Sequence, residues 1–298
     1  MDLDLPDLSG KTYLLTGSTS GVGRDAARRL GARGATVLVH GRDADAGRRV
    51  VREVEGAGGN AAFHRADLAS LDAVRDLAAT VRDSYDPLDA LCNNAGLFAT
   101  RTRESADGHE LTFAVNHLAP FLLTHELADH LADGARIVTT SSEAHRSGSV
   151  DPDTFHRAEG LSGWSAYADS KLANVLFTRE LARRLPEGYT ANCFHPGVIP
   201  GSGFSRGVPF PLSLGWKAMR LVPGMADTVA DGGRALAYLA ASPDVADVSG
   251  SYFDGTHRRE PAPAARDDRT ARRLWERSTR LVGVDPALPF GGPTATGD

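Results

Sequence analysis

Cysteine is scarce in this 298-residue chain, with only Cys92 and Cys193, each inside a short apolar run. Two cysteines do not make a disulfide framework, and a thiol in an apolar run is usually a small hydrophobe. Lysine is nearly as rare: Lys11, Lys171 and Lys217 stand against 30 arginines, so each lysine that is kept draws notice. No Cys/His cluster has metal-ligand spacing and neither HExxH nor GxxxxGK[ST] occurs, so no metal is expected. No apolar stretch approaches the roughly 18 residues of a membrane span. A net charge of −5 argues against a nucleic-acid partner held by a basic footprint. The opening Met1-Asp2-Leu3-Asp4-Leu5-Pro6 is acidic and lacks the basic-then-apolar pattern of a signal peptide. A soluble, cytoplasmic protein is expected, and a hydrophobic content of 41% suffices for a large core.

Apolar, β-branched runs at 11–16, 36–40, 60–64, 90–93, 136–141 and 190–195 alternate with helical patterns at 22–33, 46–55, 71–83, 105–132 and 165–185. Uninterrupted apolar strands separated by helices are the pattern of a parallel sheet covered on both faces. Residues 199–226 break the alternation with Gly, Pro and aromatics. A helix then follows at 227–241, a last strand around Ser251-Tyr252-Phe253, and an exposed helix at 269–281. The expected architecture is α/β: a single doubly wound domain over 1–255 with a mostly parallel seven-stranded sheet. A substrate lid is expected at 199–226 and a C-terminal extension at 256–298.

The first strand is followed directly by Gly17-Ser18-Thr19-Ser20-Gly21-Val22-Gly23 and then a helix. Glycines let backbone approach a pyrophosphate, and the helix N-terminus offers free N–H groups and partial positive charge. Turns also need glycine, so position between strand and helix carries the inference. After the second strand, an acid would bond the ribose 2′-hydroxyl of NAD, whereas Arg would pair with the 2′-phosphate of NADP. The strand ends His40-Gly41-Arg42-Asp43, with Gly41 at the place of the acid and Arg42 beside it. Asp43 falls late enough to cap the next helix instead, so NADP is expected over NAD.

Tyr167 and Lys171 stand at i and i+4, on one helix face. A phenol titrates near 10, and a neighbouring ammonium, with the positive nicotinamide ring of an oxidised cofactor, would favour the phenolate and bring it towards working range. In a chain so biased to Arg, a lysine kept here argues for function over a solvated surface pair. Ser141 and Ser142 close a strand, where parallel α/β sheets bind ligands and a hydroxyl can reach a substrate oxygen. Pro120 has no N–H, so the carbonyl of Asn116 loses its helical partner and could hold an ordered water. An ordinary proline kink is the alternative.

Taken together, these residues resemble the short-chain dehydrogenase/reductase family. The matching run is the glycine loop, Asp67-Leu68, Asn93-Asn94-Ala95-Gly96, Asn116, Ser142, Tyr167, Lys171 and His195-Pro196-Gly197-Val198. Gly41-Arg42-Asp43, Ser141-Ser142-x-Ala144-His145, Ser170–Asn174 and the tail motif from Glu260-Pro261 to Leu274-Trp275 resemble its retinol-dehydrogenase-like branch. The resemblance implies a Rossmann-type fold and an enzyme that interconverts an alcohol and a ketone or aldehyde. It implies Tyr167 as general acid/base, Ser142 (the second of the pair) holding the substrate oxygen, and Asn116 holding a relay water. Lys171 would bind the nicotinamide ribose and lower the Tyr167 pKa. Gly17, Ser18, Ser20, Gly21, Val22, Gly23, Arg42, Asp67, Leu68, Asn94, Ala95 and Val198 would line the cofactor, with Asp67 at the adenine and Asn94 at the adenosine-side ribose. The family's usual Thr after the Pro-Gly pair is missing from Pro196-Gly197-Val198-Ile199-Pro200-Gly201-Ser202, with Ser202 a substitute one position late.

Phe98, His145, Trp164, Phe204, Phe210 and Trp216 fall in loops expected at the carboxyl edge of the sheet, which suggests an apolar, aromatic or polycyclic substrate. Packing of the lid would account for the same aromatics. A same-fold lyase or epimerase and a non-catalytic NADP-binding regulator are the rival functions, and a homo-oligomer is possible.

Overall fold

The computed structural model describes residues 5–197, 199 and 227–290. Val198 and most of the expected lid, including Ser202, Phe204, Phe210 and Trp216, lie outside the described residues. The strands are β1 (Thr12–Leu15), β2 (Thr36–Gly41), β3 (Asn60–Arg65), β4 (Leu88–Asn93), β5 (Leu131–Thr140), β6 (Thr190–His195), β7 (Tyr252–Asp254) and β8 (His257–Arg259). They form one sheet in the order β3-β2-β1-β4-β5-β6-β7-β8, parallel throughout except for the β7–β8 pair. Among the described residues the sheet therefore has eight strands rather than seven. The eighth is a short exposed run, His257-Arg258-Arg259, turned back on β7 after Gly255. It carries no apolar signal, as befits an edge that resists further pairing.

Successive strand residues point to opposite faces, and the sequence supplies apolar side chains to both. Leu14, Leu38 and Leu91 enter one buried cluster; Leu15, Val37, Val39, Ala90 and Cys92 enter the other. Helices α1 (Gly21–Gly31) and α2 (Ala44–Gly56) cover the second face, together with α7 (Val229–Ala241). The first face is covered by α3 (Leu71–Ser84), α4 (Leu111–Phe113), α5 (Ala119–Glu126), α6 (Gly163–Arg184) and α8 (Asp268–Val282). Both cysteines are fully buried, and burial pushes each thiol up to about 12. No described helix is long and apolar enough to cross a membrane.

The single helix expected over 105–132 is shorter and divided. The Ser105 hydroxyl accepts the Asp107 and His109 N–H groups and Gly108 takes φ +75°, so this stretch is a turn. The helix starts at Leu111, where the Glu110 carboxylate accepts the Phe113 N–H at 2.7 Å. It widens over Ala114–Leu118, with the Ala119 N–H bonded five residues back to the Ala114 carbonyl, just before Pro120. Leu131 already belongs to β5.

Nor is the C-terminal helix exposed. Ala271, Leu274, Trp275, Ser278 and Val282 recur at three- and four-residue spacing and are buried. The Trp275 ring stacks on Phe177 of α6 at 6.0 Å, meets Phe121 of α5 edge-on at 4.8 Å, and lies 4.6 Å from the Arg184 guanidinium. Its indole N–H donates to the Pro286 carbonyl at 3.0 Å. Trp275→Ala is expected to cost about 3–5 kcal/mol in denaturant unfolding. A loss under about 1 kcal/mol would show that α8 contributes little to the core.

Candidate active site

The chain runs outward from β1 through β2 to β3, then restarts at β4 on the other side of β1. A doubly wound sheet opens a crevice at this reversal, beyond the carboxyl ends of the strands. A cleft of about 870 Å³ lies there, lined from Gly17 and Arg42 at one end to Ser142, Tyr167 and Lys171 at the other.

Gly17 takes φ +64°, and a Cβ on it would lie 2.7 Å from Ala95 Cα, so the loop and the end of β4 pass in near contact. Gly17, Thr19, Ser20, Gly21 and Val22 line the cleft. Helix α1 has no acidic residue in its first turn, and the Ser20 side chain makes no cap bond there. Its positive end is therefore left for an anion. Ser18 and Gly23 sit behind this wall. The buried Ser18 hydroxyl donates to the Leu15 carbonyl at 2.7 Å and accepts the His40 N–H at 3.1 Å. A Cβ on Gly23 would lie 2.6 Å from Asn94 Nδ2. His40 Nδ1 accepts the Gly17 N–H at 3.2 Å and its Nε2 donates to the Ala66 carbonyl at 3.2 Å. Burial pulls this imidazole down to about 4, which keeps it neutral and the loop fixed.

At the end of β2, a Cβ on Gly41 would lie 2.5 Å from Thr19 Cγ2. Thr19, which sequence reasoning passed over, thus fills the space that a side chain at 41 would need. Asp43 caps α2 by accepting the Ala46 N–H at 2.9 Å. Arg42 is largely exposed at the rim, its guanidinium 4.0 Å from the Asp67 carboxylate. Leu68 and Ala95 complete this part of the wall. The Asn94 amide donates to the Thr16 carbonyl at 2.9 Å, and its Oδ1 accepts the Thr140 hydroxyl at 3.3 Å. It ties β1, β4 and β5 together below the cleft.

At the far end, Lys171 is 3% exposed and donates to the Thr140 carbonyl at 3.0 Å. Its Nζ lies 5.6 Å from the centre of the Tyr167 ring. Burial pushes this ammonium down to about 8. Tyr167 is raised to about 12 by burial, opposed by a side-chain hydrogen bond with Ser142. Burial thus opposes the lowering expected of this phenol, and the Ser142 bond acts with that expectation. The two serines divide: the Ser141 hydroxyl donates to the Lys171 carbonyl at 2.9 Å in the protein interior. Ser142 lines the cleft, and its Oγ accepts the Ala144 N–H at 3.2 Å.

Asn116 is fully buried, and its side chain bridges elements. Oδ1 accepts the Leu97 N–H at 2.8 Å, while Nδ2 donates to the Leu97 carbonyl and to Ser170 Oγ, each at 3.0 Å. The expectation for Asn116 concerned its main-chain carbonyl; the side-chain clamp had no signal in the sequence. Phe98, Trp164 and Tyr167 form an aromatic group with centroids 5.7–6.5 Å apart, and Trp164 is 50% exposed. His145, expected at a substrate wall, is instead completely buried and turned to the protein interior.

A doubly wound sheet with a glycine loop at its reversal defines a dinucleotide-binding protein of Rossmann type. The family model for short chain dehydrogenase matches residues 11–206. The chain belongs to the short-chain dehydrogenase/reductase family, in its retinol-dehydrogenase-like branch, and is an NAD(P)-dependent oxidoreductase. It is 38% identical to retinol dehydrogenase 13 of Homo sapiens, over 93% of this chain and 86% of that protein. It is also 38% identical to a Streptomyces sp. (strain C5) protein named for daunorubicin C-13 ketoreduction, over 93% and 94% of the two chains. A solved short chain dehydrogenase from Burkholderia cenocepacia J2315 in complex with NADP superposes with a TM-score of 0.68 at 30% identity. That match covers 83% of this chain and 97% of that one.

An ammonium that titrates near 8 when folded and near 10.5 when unfolded destabilises the fold fully below pH 8. As pH rises from 8 towards 10.5, the unfolded chain binds the extra proton and the cost fades. The stability of the wild type relative to Lys171→Met is therefore expected to rise by up to about 3 kcal/mol across that window. Denaturant midpoints of both proteins at pH 7.5 and pH 10 read this directly, and a constant difference would contradict it.

Proposed function

We propose that this enzyme uses NADP(H) to interconvert an alcohol and a ketone or aldehyde on an apolar small molecule. The observation that carries the reading is the meeting of Ser142, Tyr167 and Lys171 in one cleft that reaches Arg42 at its other end. Bound there, the nicotinamide cofactor supplies hydride acceptance in one direction and hydride donation in the other. Ser142 Oγ and Tyr167 Oη hold the substrate oxygen. Tyr167 gives that oxygen a proton in reduction and removes it in oxidation. Lys171 holds the nicotinamide ribose and favours the phenolate of Tyr167, opposing the burial that raises it. Asn116 keeps the adjoining backbone of Leu97 in place, and its carbonyl would hold a water that refills the proton.

NADP is supported over NAD by three side chains at the adenosine end. Thr19 fills the space beside Gly41, Asp43 is spent as a helix cap, and Arg42 is exposed where a 2′-phosphate would be neutralised. Ser20, Gly21 and Val22 at the start of α1 would take the pyrophosphate, Asp67 and Leu68 the adenine, and Asn94 with Ala95 the ribose beside it. Phe98 and the exposed Trp164 beside Tyr167 suit a flat apolar substrate, in keeping with the retinol and daunorubicin in the relatives' names.

Titration with NADPH and NADH, followed by a panel that includes retinaldehyde and daunorubicin, tests the proposal at the cofactor absorbance. Arg42→Ala is expected to weaken NADPH about 10- to 100-fold, the value of one charge-assisted contact, and to leave NADH unchanged. Tyr167→Phe should lower turnover at least about 100-fold with NADPH binding retained. Tighter binding of NADH, or full turnover by Tyr167→Phe, would overturn it. Retained cofactor without net NADPH consumption would favour the lyase or epimerase.

A further inference from the structure

We propose that His145 is the positioning residue that aims the Ser142 hydroxyl into the cleft, and that the C-terminal segment at Ala262 holds His145 in the state that does so. The inference rests on the reading of Ser142 as the group that holds the substrate oxygen. His145 Nδ1 lies 2.7 Å from the Ser142 carbonyl, which can only accept, so Nδ1 carries the hydrogen. Its Nε2 lies 3.0 Å from the N–H of Ala262, which can only donate, so Nε2 is bare. The two contacts together define one neutral tautomer. Burial, which lowers the pKa of this ring, acts in the same direction.

The same Ser142 carbonyl also accepts the His145 main-chain N–H at 3.0 Å. This double hold on the carbonyl fixes the peptide plane next to the residue whose Oγ meets Tyr167. The ring itself is wedged against Tyr252 at 4.8 Å. The turn that carries it, Glu143–Ser147, has two further ties to the same part of the chain. The Tyr252 hydroxyl donates to the Glu143 carboxylate at 3.2 Å, and the Arg146 guanidinium donates to the Glu260 carbonyl at 3.1 Å. Tyr252, Glu260 and Ala262 all lie beyond the 11–206 stretch matched by the family model, so this chain's own C-terminal part completes the support of the serine.

Two substitutions separate aim from anchorage. His145→Asn keeps an amide N–H near the place of Nδ1 and loses the acceptor for Ala262. His145→Gln offers an acceptor near the place of Nε2 and loses the donor to Ser142. Both remove the ring, so both should lower the thermal midpoint to a similar extent. With a carbonyl turned over in the panel above, His145→Gln is expected to lower kcat at least about tenfold, with the NADPH Kd within about twofold of wild type. His145→Asn should stay within about threefold in kcat. Crystals of the NADPH complex of His145→Gln should show Ser142 Oγ turned away from Tyr167 Oη, a readout independent of turnover. Equal kcat losses in the two variants, undiminished kcat in His145→Gln, or an unmoved Ser142 Oγ would overturn the proposal. Ser142→Ala tells the two readings apart: full turnover there overturns the role of Ser142 itself. Loss there with none in His145→Gln overturns the role of His145 alone.

Discussion

An ammonium in a protein interior is costly unless its N–H groups find acceptors, and the site is organised round one such group. Lys171 Nζ ends on the Thr140 carbonyl, the last residue of β5, and the same oxygen accepts Asn174 Nδ2 at 3.2 Å. That arrangement requires β5 to end where it does and α6 to lie close across it. A glycine at 96 leaves room beside the ammonium, since a Cβ there would lie 3.3 Å from Nζ and 3.4 Å from Asn116 Oδ1, tighter than an ordinary contact. Thr140 and Asn94 then link the ammonium to the carboxyl ends of β1 and β4, so the charged end of the cleft and the glycine loop share one rigid floor. A catalytic constellation held by elements of a packed sheet keeps its geometry better than one held by loops.

Much of this was legible from residues alone because the signals are local. The strand runs alternate between two buried faces, so their hydrophobic content marks them regardless of context. The glycine loop, Arg42 and the Tyr167–Lys171 spacing likewise depend on neighbours in sequence. Asp43 falls in the same group, since a helix cap three residues before the N–H it accepts can be read without a structure.

What escaped depends on partners far along the chain. Thr19 matters through Gly41, and His145 through Ala262. Neither pairing leaves a trace at either position. Ser18 counted among the cofactor-lining residues because it sits in the loop, yet backbone groups of β1 and β2 claim its hydroxyl. The C-terminal helix looked exposed because five arginines dominate residues 268–282, while its buried stripe needs only Ala271, Leu274, Trp275, Ser278 and Val282. Three buried imidazoles of the sheet domain spend their Nε2 atoms on the C-terminal part: His145 on Ala262, His117 on Ser278, and His125 on the carbonyls of Asp285 and Ala287. The tail is thereby seated by polar contacts as well as by Trp275, which binds it to the domain that carries the cleft.

The central claim is that the Lys171 ammonium and the Tyr167 phenol face one end of a bound dinucleotide whose other end meets Arg42. A crystal structure of the enzyme with NADPH tests this most directly. The account predicts the nicotinamide ribose within hydrogen-bonding distance of Lys171 Nζ, and the 2′-phosphate against the Arg42 guanidinium. A dinucleotide lying elsewhere, or one bound in the cleft with Lys171 turned away from its ribose, would contradict it.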